Sequence, residues 1–332
     1  MAKKIDNDQK KYGKAFQVIG TDSWQKENER YKQMRAEWDD VGEKLYVTKA
    51  PLHVDIELTN DCNLKCAMCE RNFMTRDVGY MAFSLYQNII GQCAENDILS
   101  VKLNLWGESV MHPELRKMIS YAKQKGIVNT QFNSNASLLN ETICRDLVES
   151  GLDRLTLSID SLKKGTYEHI RIGSKINQVV ENIDTLTRIK KELGSKTPFI
   201  TAQIIQMKSN QGGIQPFVNQ FKDKVDYVSV TNICAASGDR RILKQSLLSF
   251  TGKKFPCPEI WHRLSISFDG HVTVCCQDYN FDLEIGNLKD SDIVSLWHGK
   301  ALTELRERHK HLDFKNTLCQ TCTANEESIP EE

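Results

Sequence analysis

The feature that most constrains this chain is a triplet of cysteines at CxxxCxxC spacing, Cys62, Cys66 and Cys69, which follows a short apolar segment. Thiolate sulfur is a favoured ligand of iron-sulfur clusters, and three thiolates on one short loop can hold three corners of a [4Fe-4S] cube. Ferredoxins that only transfer electrons use four cysteines for each such cluster. A set of three therefore predicts a cluster in which one iron is open to another ligand.

Two plainer interpretations of the triplet are a zinc site and reduced cysteines in a packed loop. Structural zinc usually takes four ligands in pairs such as CxxC, and no His or Cys follows Cys69 at such a spacing. The spacing therefore favours an iron-sulfur cluster over zinc.

Together with the apolar strand that precedes it, the triplet resembles the signature of radical S-adenosylmethionine (SAM) enzymes. The resemblance implies that the open iron binds the amino and carboxylate groups of SAM, and that the reduced cluster cleaves SAM to a 5′-deoxyadenosyl radical. It also implies a flavodoxin or ferredoxin as the reductant. Met68 stands at the position that packs near the adenine in this family and is often aromatic there.

From His53 onward, short apolar segments alternate with amphipathic helical segments, a pattern typical of parallel βαβ units. The predicted strands cover residues 53–58, 101–106, 129–133, 154–159, 199–205 and 225–231. The predicted helices cover residues 84–92, 113–125, 140–149, 176–193 and 213–221. Six strand-helix units match the partial (β/α)6 barrel of TIM type that the resemblance implies. Ligands of such α/β folds bind at the carboxyl ends of the strands.

The second predicted strand is followed by Trp106, Gly107 and Glu108, which resemble the GGE-type motif of the family with Trp in place of the first Gly. The resemblance implies that Gly107 lets the backbone approach SAM and that Glu108 receives its ammonium group. A structural interpretation is also open, since Ser109 or His112 before a proline is a suitable helix N-cap.

Further residues after the predicted strands match positions that contact SAM in the family. Asn135 follows the third strand, although asparagine also suits a left-handed turn. Ser158 and Asp160 end the fourth strand, and the resemblance implies that Ser158 contacts SAM and that Arg171 pairs with its carboxylate. An arginine fork suits a carboxylate well, but Arg171 could form a surface ion pair with a neighbouring Glu, and Asp160 could cap a helix. Gln206 ends the fifth strand as a possible ribose contact.

A second group of cysteines lies near the C-terminus. Its members are Cys257, the doublet Cys275–Cys276, and the pair Cys319 and Cys322. Alternating apolar residues around Asp269-Gly270 predict a β-hairpin before the doublet, and residues 291–310 read as a helix. Four thiolates in this pattern can ligate a second cluster completely, although a zinc ribbon uses a similar set.

The pattern resembles the twitch domain, a shortened SPASM domain found in radical SAM dehydrogenases of aminoglycoside biosynthesis. The resemblance implies an auxiliary [4Fe-4S] cluster on Cys257, Cys275, Cys319 and Cys322, with Cys276 left over. The predicted organisation is a charged helical extension over residues 1–50, a barrel over 51–236, a linker over 237–256 and the auxiliary-cluster domain over 257–332. Within the extension, residues 22–45 read as a charged helix and no strand pattern is present.

Composition excludes several classes of partner. The formal net charge is zero and the pI is about 7.1, so no basic surface points to nucleic acid or to an anionic membrane. No apolar run approaches the roughly 20 residues that cross a bilayer. Eleven cysteines without a signal peptide are typical of a reducing compartment, so we expect a cytoplasmic protein.

Several reactions remain open at this stage. A dehydrogenase would oxidise a small polar substrate such as a sugar, sugar nucleotide or aminocyclitol and pass an electron to the auxiliary cluster. An epimerase would return a hydrogen atom from a thiol, for which Cys234 and Cys276 are the predicted donors. A peptide maturase would require a recognition domain, which the strand-free extension does not suggest. A non-enzymatic metal scaffold would not cleave SAM.

Overall fold

The computed structural model describes the backbone of residues 17–20, together with residues 28–233, 235 and 240–330. Residue Cys234, one of the two predicted hydrogen donors, lies outside the described residues. The domain boundaries predicted from the sequence stay predictions, because the central sheet continues from the barrel into the C-terminal part of the chain.

A curved sheet with parallel strands forms the centre of the molecule. Its first seven strands are β1 (Gln17–Gly20), β2 (His53–Ile56), β3 (Ser100–Lys102), β4 (Asn129–Ser134), β5 (Arg154–Ser158), β6 (Phe199–Gln206) and β7 (Tyr227–Asn232). Strands β2 to β7 lie side by side in chain order, and each is parallel to the next. The predicted partial (β/α)6 barrel is therefore confirmed.

Helices cover the outer face of this sheet. They are α1 (Glu29–Lys44), α2 (Phe83–Glu95), α3 (Leu115–Gln124), α4 (Glu141–Glu149), α5 (Lys164–Ile170), α6 (Ile176–Glu192) and α7 (Ile214–Phe221). Val54 and Val101 alternate along their strands with polar residues and are fully buried in the helix-side core. A period of two therefore sends apolar side chains outward to the helices and polar side chains inward to the barrel.

The prediction that the first 50 residues hold no strand is wrong, because β1 pairs antiparallel with β7. The barrel is open, so the edge of β7 offers unpaired N–H and C=O groups, and the short β-branched sequence of β1 can satisfy them. Because the extension does contain a strand, its secondary structure no longer disfavours a peptide substrate.

Helix α1 covers the amino ends of the barrel strands. Trp38 stacks on His262 with ring centroids 4.0 Å apart and meets the ring of His53 edge-on at 6.2 Å. Arg154, at the start of β5, donates a 3.5 Å hydrogen bond to the hydroxyl of Tyr31. The floor of the barrel is therefore closed, and ligands must enter at the carboxyl ends of the strands.

The C-terminal part adds five strands and four short helices within the described residues. They are β8 (Leu248–Lys254), β9 (Arg263–Ile266), β10 (His271–Thr273), β11 (Glu284–Asn287) and β12 (Glu326–Pro330), with α8 (Arg240–Leu243), α9 (Glu259–His262), α10 (Ile293–Trp297) and α11 (Lys300–Lys310). The predicted hairpin is confirmed as β9 and β10, and Gly270 in its turn has a φ of +97°. The single helix predicted over 291–310 is two helices, because the chain breaks at Gly299.

Two elements of this part were not expected from the sequence. Strand β9 pairs parallel with β2, so the hairpin extends the barrel sheet. Strand β8 lies within the predicted linker and pairs antiparallel with β12 near the C-terminus, which forms a separate two-stranded sheet. None of the helices in the described part of the chain is long and apolar enough to span a membrane.

Candidate functional site

The cysteine triplet lies on the loop that runs from the end of β2 to α2. Cys66 is buried, and Cys62 and Cys69 are half-buried. The side-chain amide of Asn72 donates to the carbonyl oxygen of Cys66 at 2.8 Å, and Arg71 Nε donates to that of Asn60 at 2.6 Å. The loop is therefore held by its own polar side chains.

The three thiols interact electrostatically with one another. Burial raises the pKa of Cys62 to about 11, and the nearby Glu108 carboxylate and the other two thiols act in the same direction. Because iron binds the thiolate, such thiols would release protons when a cluster is loaded.

Gly107 is required by close packing against the cysteine loop. A Cβ atom at this position would lie 2.0 Å from the carbonyl oxygen of Thr59 and 2.7 Å from that of Asp61. The next residue, Glu108, donates its backbone N–H to the Asp61 oxygen at 2.8 Å. The segment after β3 is thereby fastened to the loop that carries the thiols.

The Glu108 carboxylate is buried beside the triplet. Its Oε2 accepts the backbone N–H of Asn135 at 2.8 Å, whereas its buried Oε1 has no hydrogen-bond partner among the described residues. Burial raises the pKa of this carboxyl group. A buried oxygen without a partner is costly, so this atom suits the ammonium group of a ligand.

Asn135 connects two loops. Its side-chain amide donates to Asn63 Oδ1 at 2.9 Å, and its own Oδ1 accepts the backbone N–H of Ser137 at the same distance. Asn135 therefore has structural bonds to the cysteine loop on one side and to its own turn on the other.

Arg171 forms a buried ion pair with Asp160. Its Nε and Nη2 lie 2.7 and 2.6 Å from Asp160 Oδ2, and its Nη1 lies 3.6 Å from the sulfur of Cys66. Burial alone would lower the pKa of Arg171, but the Asp160 carboxylate and Cys66 raise it. The guanidinium group therefore stays charged next to the triplet.

The structure corrects several alternatives from the sequence. Arg171 pairs with Asp160 rather than with a surface Glu, and Asp160 does not cap a helix but adopts a φ of +62° and accepts the Ile205 N–H at 2.8 Å. Ser109 is not an N-cap, because α3 begins at Leu115, whereas His112 Nδ1 accepts the backbone N–H of Glu114 at 3.1 Å just before that helix.

The remaining predicted SAM contacts lie around the same end of the barrel. Ser158 is the last residue of β5, and Gln206 ends β6 and donates to Asn232 Oδ1 at 3.1 Å. Met68 packs against a small apolar cluster that includes Met207 and Ile233.

The second group of cysteines surrounds one cavity of about 70 Å³, which is partly open to solvent. Its thiol lining consists of Cys257, Cys275, Cys276, Cys319 and Cys322. Among the described residues, no group of three or more His, Cys, Asp or Glu side chains is arranged to hold a single metal ion.

The two members of the cysteine doublet have different surroundings. Cys275 interacts electrostatically with Cys257 and Cys322. Cys276 also lines the cavity and interacts with Cys275, and in addition it interacts with charged groups of the barrel, Arg263 and Asp55 among them.

Two basic side chains support this cysteine group, and no motif in the sequence singled them out. His309 Nδ1 accepts the backbone N–H of Cys257 at 3.2 Å, and burial lowers the pKa of His309 to about 4, so the ring is neutral. Lys254 on β8 donates to the carbonyl oxygen of Cys322 and pairs with Glu326 on β12 at 3.3 Å. The β8–β12 pair therefore fixes the backbone of the terminal CxxC.

Arg76 joins the two cysteine-bearing regions, which sequence reasoning also missed. It binds Glu57 with two parallel bonds of 2.9 and 2.8 Å, and its Nε donates to the carbonyl oxygen of Tyr279 at 2.7 Å. The guanidinium group also lies 4.4 Å from the ring centroid of Phe281. One side chain thus ties the triplet loop, the end of β2 and the C-terminal part together.

We expect Arg76→Met to lower the free energy of unfolding by about 3–5 kcal/mol, because Glu57 is fully buried and would lose the one cationic partner that the described residues give it. Thermal and chemical unfolding under anaerobic conditions measure this loss. The double variant E57L/R76M removes both the buried Glu57 carboxylate and the Arg76 guanidinium group, so most of the lost free energy of unfolding should be regained.

Arg116→Met is the matched control, because Arg116 forms ion pairs with Asp146 and Glu149 on the exposed surface. An R76M melting temperature as high as that of R116M would contradict the role given to Arg76.

Comparison with known proteins supports these observations. Residues 56–201 match the family model of the radical SAM superfamily, and residues 257–323 match SPASM, an iron-sulfur cluster-binding domain. The similar curated proteins include a tungsten-containing aldehyde ferredoxin oxidoreductase cofactor-modifying protein of Pyrococcus furiosus, 26% identical over 160 residues, 47% of this chain and 44% of that protein. A probable GTP 3′,8-cyclase of Methanococcus maripaludis is 29% identical over 130 residues, 39% of this chain and 43% of the cyclase. The match thus spans less than half the length of these two relatives.

Similar solved structures include BtrN in complex with AdoMet and 2-DOIA, with a TM-score of 0.55, 17% identity and coverage of 81% of this chain and 92% of BtrN. Streptococcus suis SuiB bound to the precursor peptide SuiA has a TM-score of 0.61, 16% identity and coverage of 89% and 74%. At these identities the similarity shows a common fold.

A radical SAM domain implies a [4Fe-4S] cluster and SAM, and a SPASM domain implies auxiliary iron-sulfur clusters. The three thiols and the unpaired buried oxygen of Glu108 fit a [4Fe-4S] cluster with SAM. The thiol-lined cavity fits an auxiliary cluster. The chain thus carries a radical SAM domain over residues 56–201 and a C-terminal SPASM iron-sulfur domain over residues 257–323.

Proposed function

We propose that this chain is an oxidoreductase that removes two hydrogens from a small polar substrate such as a sugar, sugar nucleotide or aminocyclitol. The observation that carries the proposal is the second cavity, where four thiols other than Cys276 can complete the coordination of a cluster. A cluster without an open iron suits the acceptance of an electron rather than the binding of a second substrate.

The residues proposed to hold the cofactors fall into two sets. The SAM cluster would be held by Cys62, Cys66 and Cys69, and the auxiliary cluster by Cys257, Cys275, Cys319 and Cys322. When bound, these groups and SAM supply a 5′-deoxyadenosyl radical and an acceptor for one electron. Radical SAM enzymes need a reductant, for which we propose a flavodoxin or ferredoxin.

The protein's own contribution at the SAM site is binding and charge. Glu108 Oε1, buried and unpartnered within the described chain, would accept the ammonium group of SAM. Arg171 keeps a positive charge 3.6 Å from the Cys66 sulfur while Asp160 holds its guanidinium in place. Met68, Gly107, Asn135, Ser158 and Gln206 are proposed as further SAM contacts from their positions at this end of the barrel.

One observation favours a second candidate function, an epimerase. Cys276 is not among the proposed cluster ligands and interacts with the barrel residues Arg263, Asp55 and Lys102, so its thiol could return a hydrogen atom to a substrate in the barrel. Cys234, the other predicted donor, lies outside the described residues.

Anaerobic reconstitution followed by iron analysis, a SAM cleavage assay and product mass in deuterated solvent tests these proposals. We expect roughly eight irons per chain, since two cubane clusters are proposed. Loss of two hydrogens from the substrate identifies a dehydrogenase, whereas a gain of one mass unit at unchanged formula identifies an epimerase. Full iron loading without 5′-deoxyadenosine release would exclude both.

A further inference from the structure

The inner face of the barrel carries a continuous row of polar side chains. Asp55 on β2 is in register with Lys102 on β3, and Lys102 is in register with Gln131 on β4. Asn133 on β4 is likewise in register with Thr156 on β5. Residues in register on parallel strands point to the same face, so these side chains lie together inside the barrel.

The two ends of this row differ in their partners. Asp55 is fully buried and accepts bonds from Ser265 Oγ at 3.1 Å and from Arg263 Nη1 at 3.4 Å. The side chain of Lys102, by contrast, forms no hydrogen bond or ion pair with another residue in 28–233, 235 or 240–330.

The neighbours of Lys102 are also unpaired. The side chains of Gln131, Asn133 and Thr156 are half-buried and make no hydrogen bond to the rest of the described chain. We call Lys102 and these three residues the inner patch. Their donors and acceptors are therefore open to the interior of the barrel, where a ligand with matching groups can bind them.

The charge of the inner patch is positive. Lys102 interacts electrostatically with His53, Asp55 and Cys276, but the Asp55 carboxylate is already matched by Arg263. Burial lowers the pKa of His53, so this ring is neutral and does not offset the lysine. Lys102 thus remains a cation without a partner of its own in the described residues.

We propose that the inner patch binds the substrate, and that the substrate is a small polyhydroxylated molecule with one anionic group, a carboxylate or a phosphate. This inference rests on the proposed function, since it names the substrate class of the same barrel. The Lys102 ammonium binds the anionic group as a point charge, and the two amides and the Thr156 hydroxyl bind hydroxyl groups, because each can both donate and accept. Asp55, which is in register with Lys102, binds Arg263 and Ser265 of the C-terminal part, so the bound substrate lies next to that part.

The test is a titration of the anaerobically reconstituted full chain with three probes, followed by saturation-transfer NMR. The probes are D-gluconate, D-glucose 6-phosphate and neutral D-glucose. We expect one of the charged probes to bind more tightly than glucose, and Lys102→Met to weaken that binding by about tenfold or more. Binding of gluconate alone identifies a carboxylate, and binding of the phosphate alone identifies a phosphate ester.

Lys222→Met is the matched control, because Lys222 is an exposed lysine at the end of α7. Binding of glucose as tight as that of both charged probes, no binding of any probe, or equal affinities of K102M and K222M would each overturn the inference. A tetraglutamate peptide is tested in addition. Tighter binding of this peptide than of gluconate and glucose 6-phosphate would overturn the inference in favour of a peptide substrate. Release of 5′-deoxyadenosine by the wild-type chain is measured separately, so failure of the proposed function is distinguished from failure of this inference.

Discussion

Replacement of Cys69 by alanine is expected to abolish 5′-deoxyadenosine release, with a loss of about 10³-fold or more, equivalent to over 4 kcal/mol of transition-state stabilisation. The physical reason is ligand count: a cubane with three protein thiolates cannot lose one and keep a defined open iron. Iron content should fall from roughly eight to roughly four per chain, because the auxiliary group is untouched. Anaerobic iron analysis and the SAM cleavage assay measure the two effects.

Cys144→Ala is the control for this variant. Cys144 is fully buried in the core on α4, away from both cysteine groups, so its replacement removes a thiol without removing a proposed ligand. It should keep full iron loading and SAM cleavage. A C69A variant that still releases 5′-deoxyadenosine at the rate of C144A would contradict the proposed ligand set.

The adjacent variants Cys275→Ala and Cys276→Ala are expected to differ in iron content: the first should lose iron and the second should not. Cys275 is a proposed ligand that interacts with Cys257 and Cys322, so its loss should remove the auxiliary cluster, roughly four irons per chain. Cys276 interacts with Arg263 and Asp55 and is not a proposed ligand, so its loss should leave both clusters in place. Iron and sulfide analysis of the two reconstituted variants measures the difference.

The doublet provides its own control, since both changes remove one thiol at neighbouring positions. Equal iron losses in the two variants would show that the assignment of Cys275 alone is wrong. Turnover then separates the two candidate functions. A dehydrogenase should keep forming the oxidised product in C276A, whereas an epimerase that uses this thiol should lose net inversion.

The barrel and the two cysteine groups could be predicted because both depend on local patterns. Alternation of apolar strands with amphipathic helices gave the six parallel strands, and their bounds differ from the observed ones by a few residues at most. The CxxxCxxC triplet and the C-terminal pattern depend only on spacing along the chain, and family models match the same two regions.

The contacts that organise the site could not be predicted in this way. Arg171 pairs with Asp160 only because two loops at the ends of neighbouring strands meet, and Arg76 reaches Tyr279 across more than 200 residues of sequence. Strand β1 pairs with the open edge of β7, and β8 pairs with β12, a segment more than 70 residues further along the chain. Such pairings leave no periodic signal in the sequence.

The sequence alone determined the chemical type of the protein, because cysteine spacing and strand alternation are properties of neighbouring residues. Only the tertiary structure decided which barrel residues lie near the cysteine doublet, which carboxylate oxygen stays unpaired, and which polar side chains line the barrel. These depend on strand register and loop packing, which bring together residues that lie far apart along the chain.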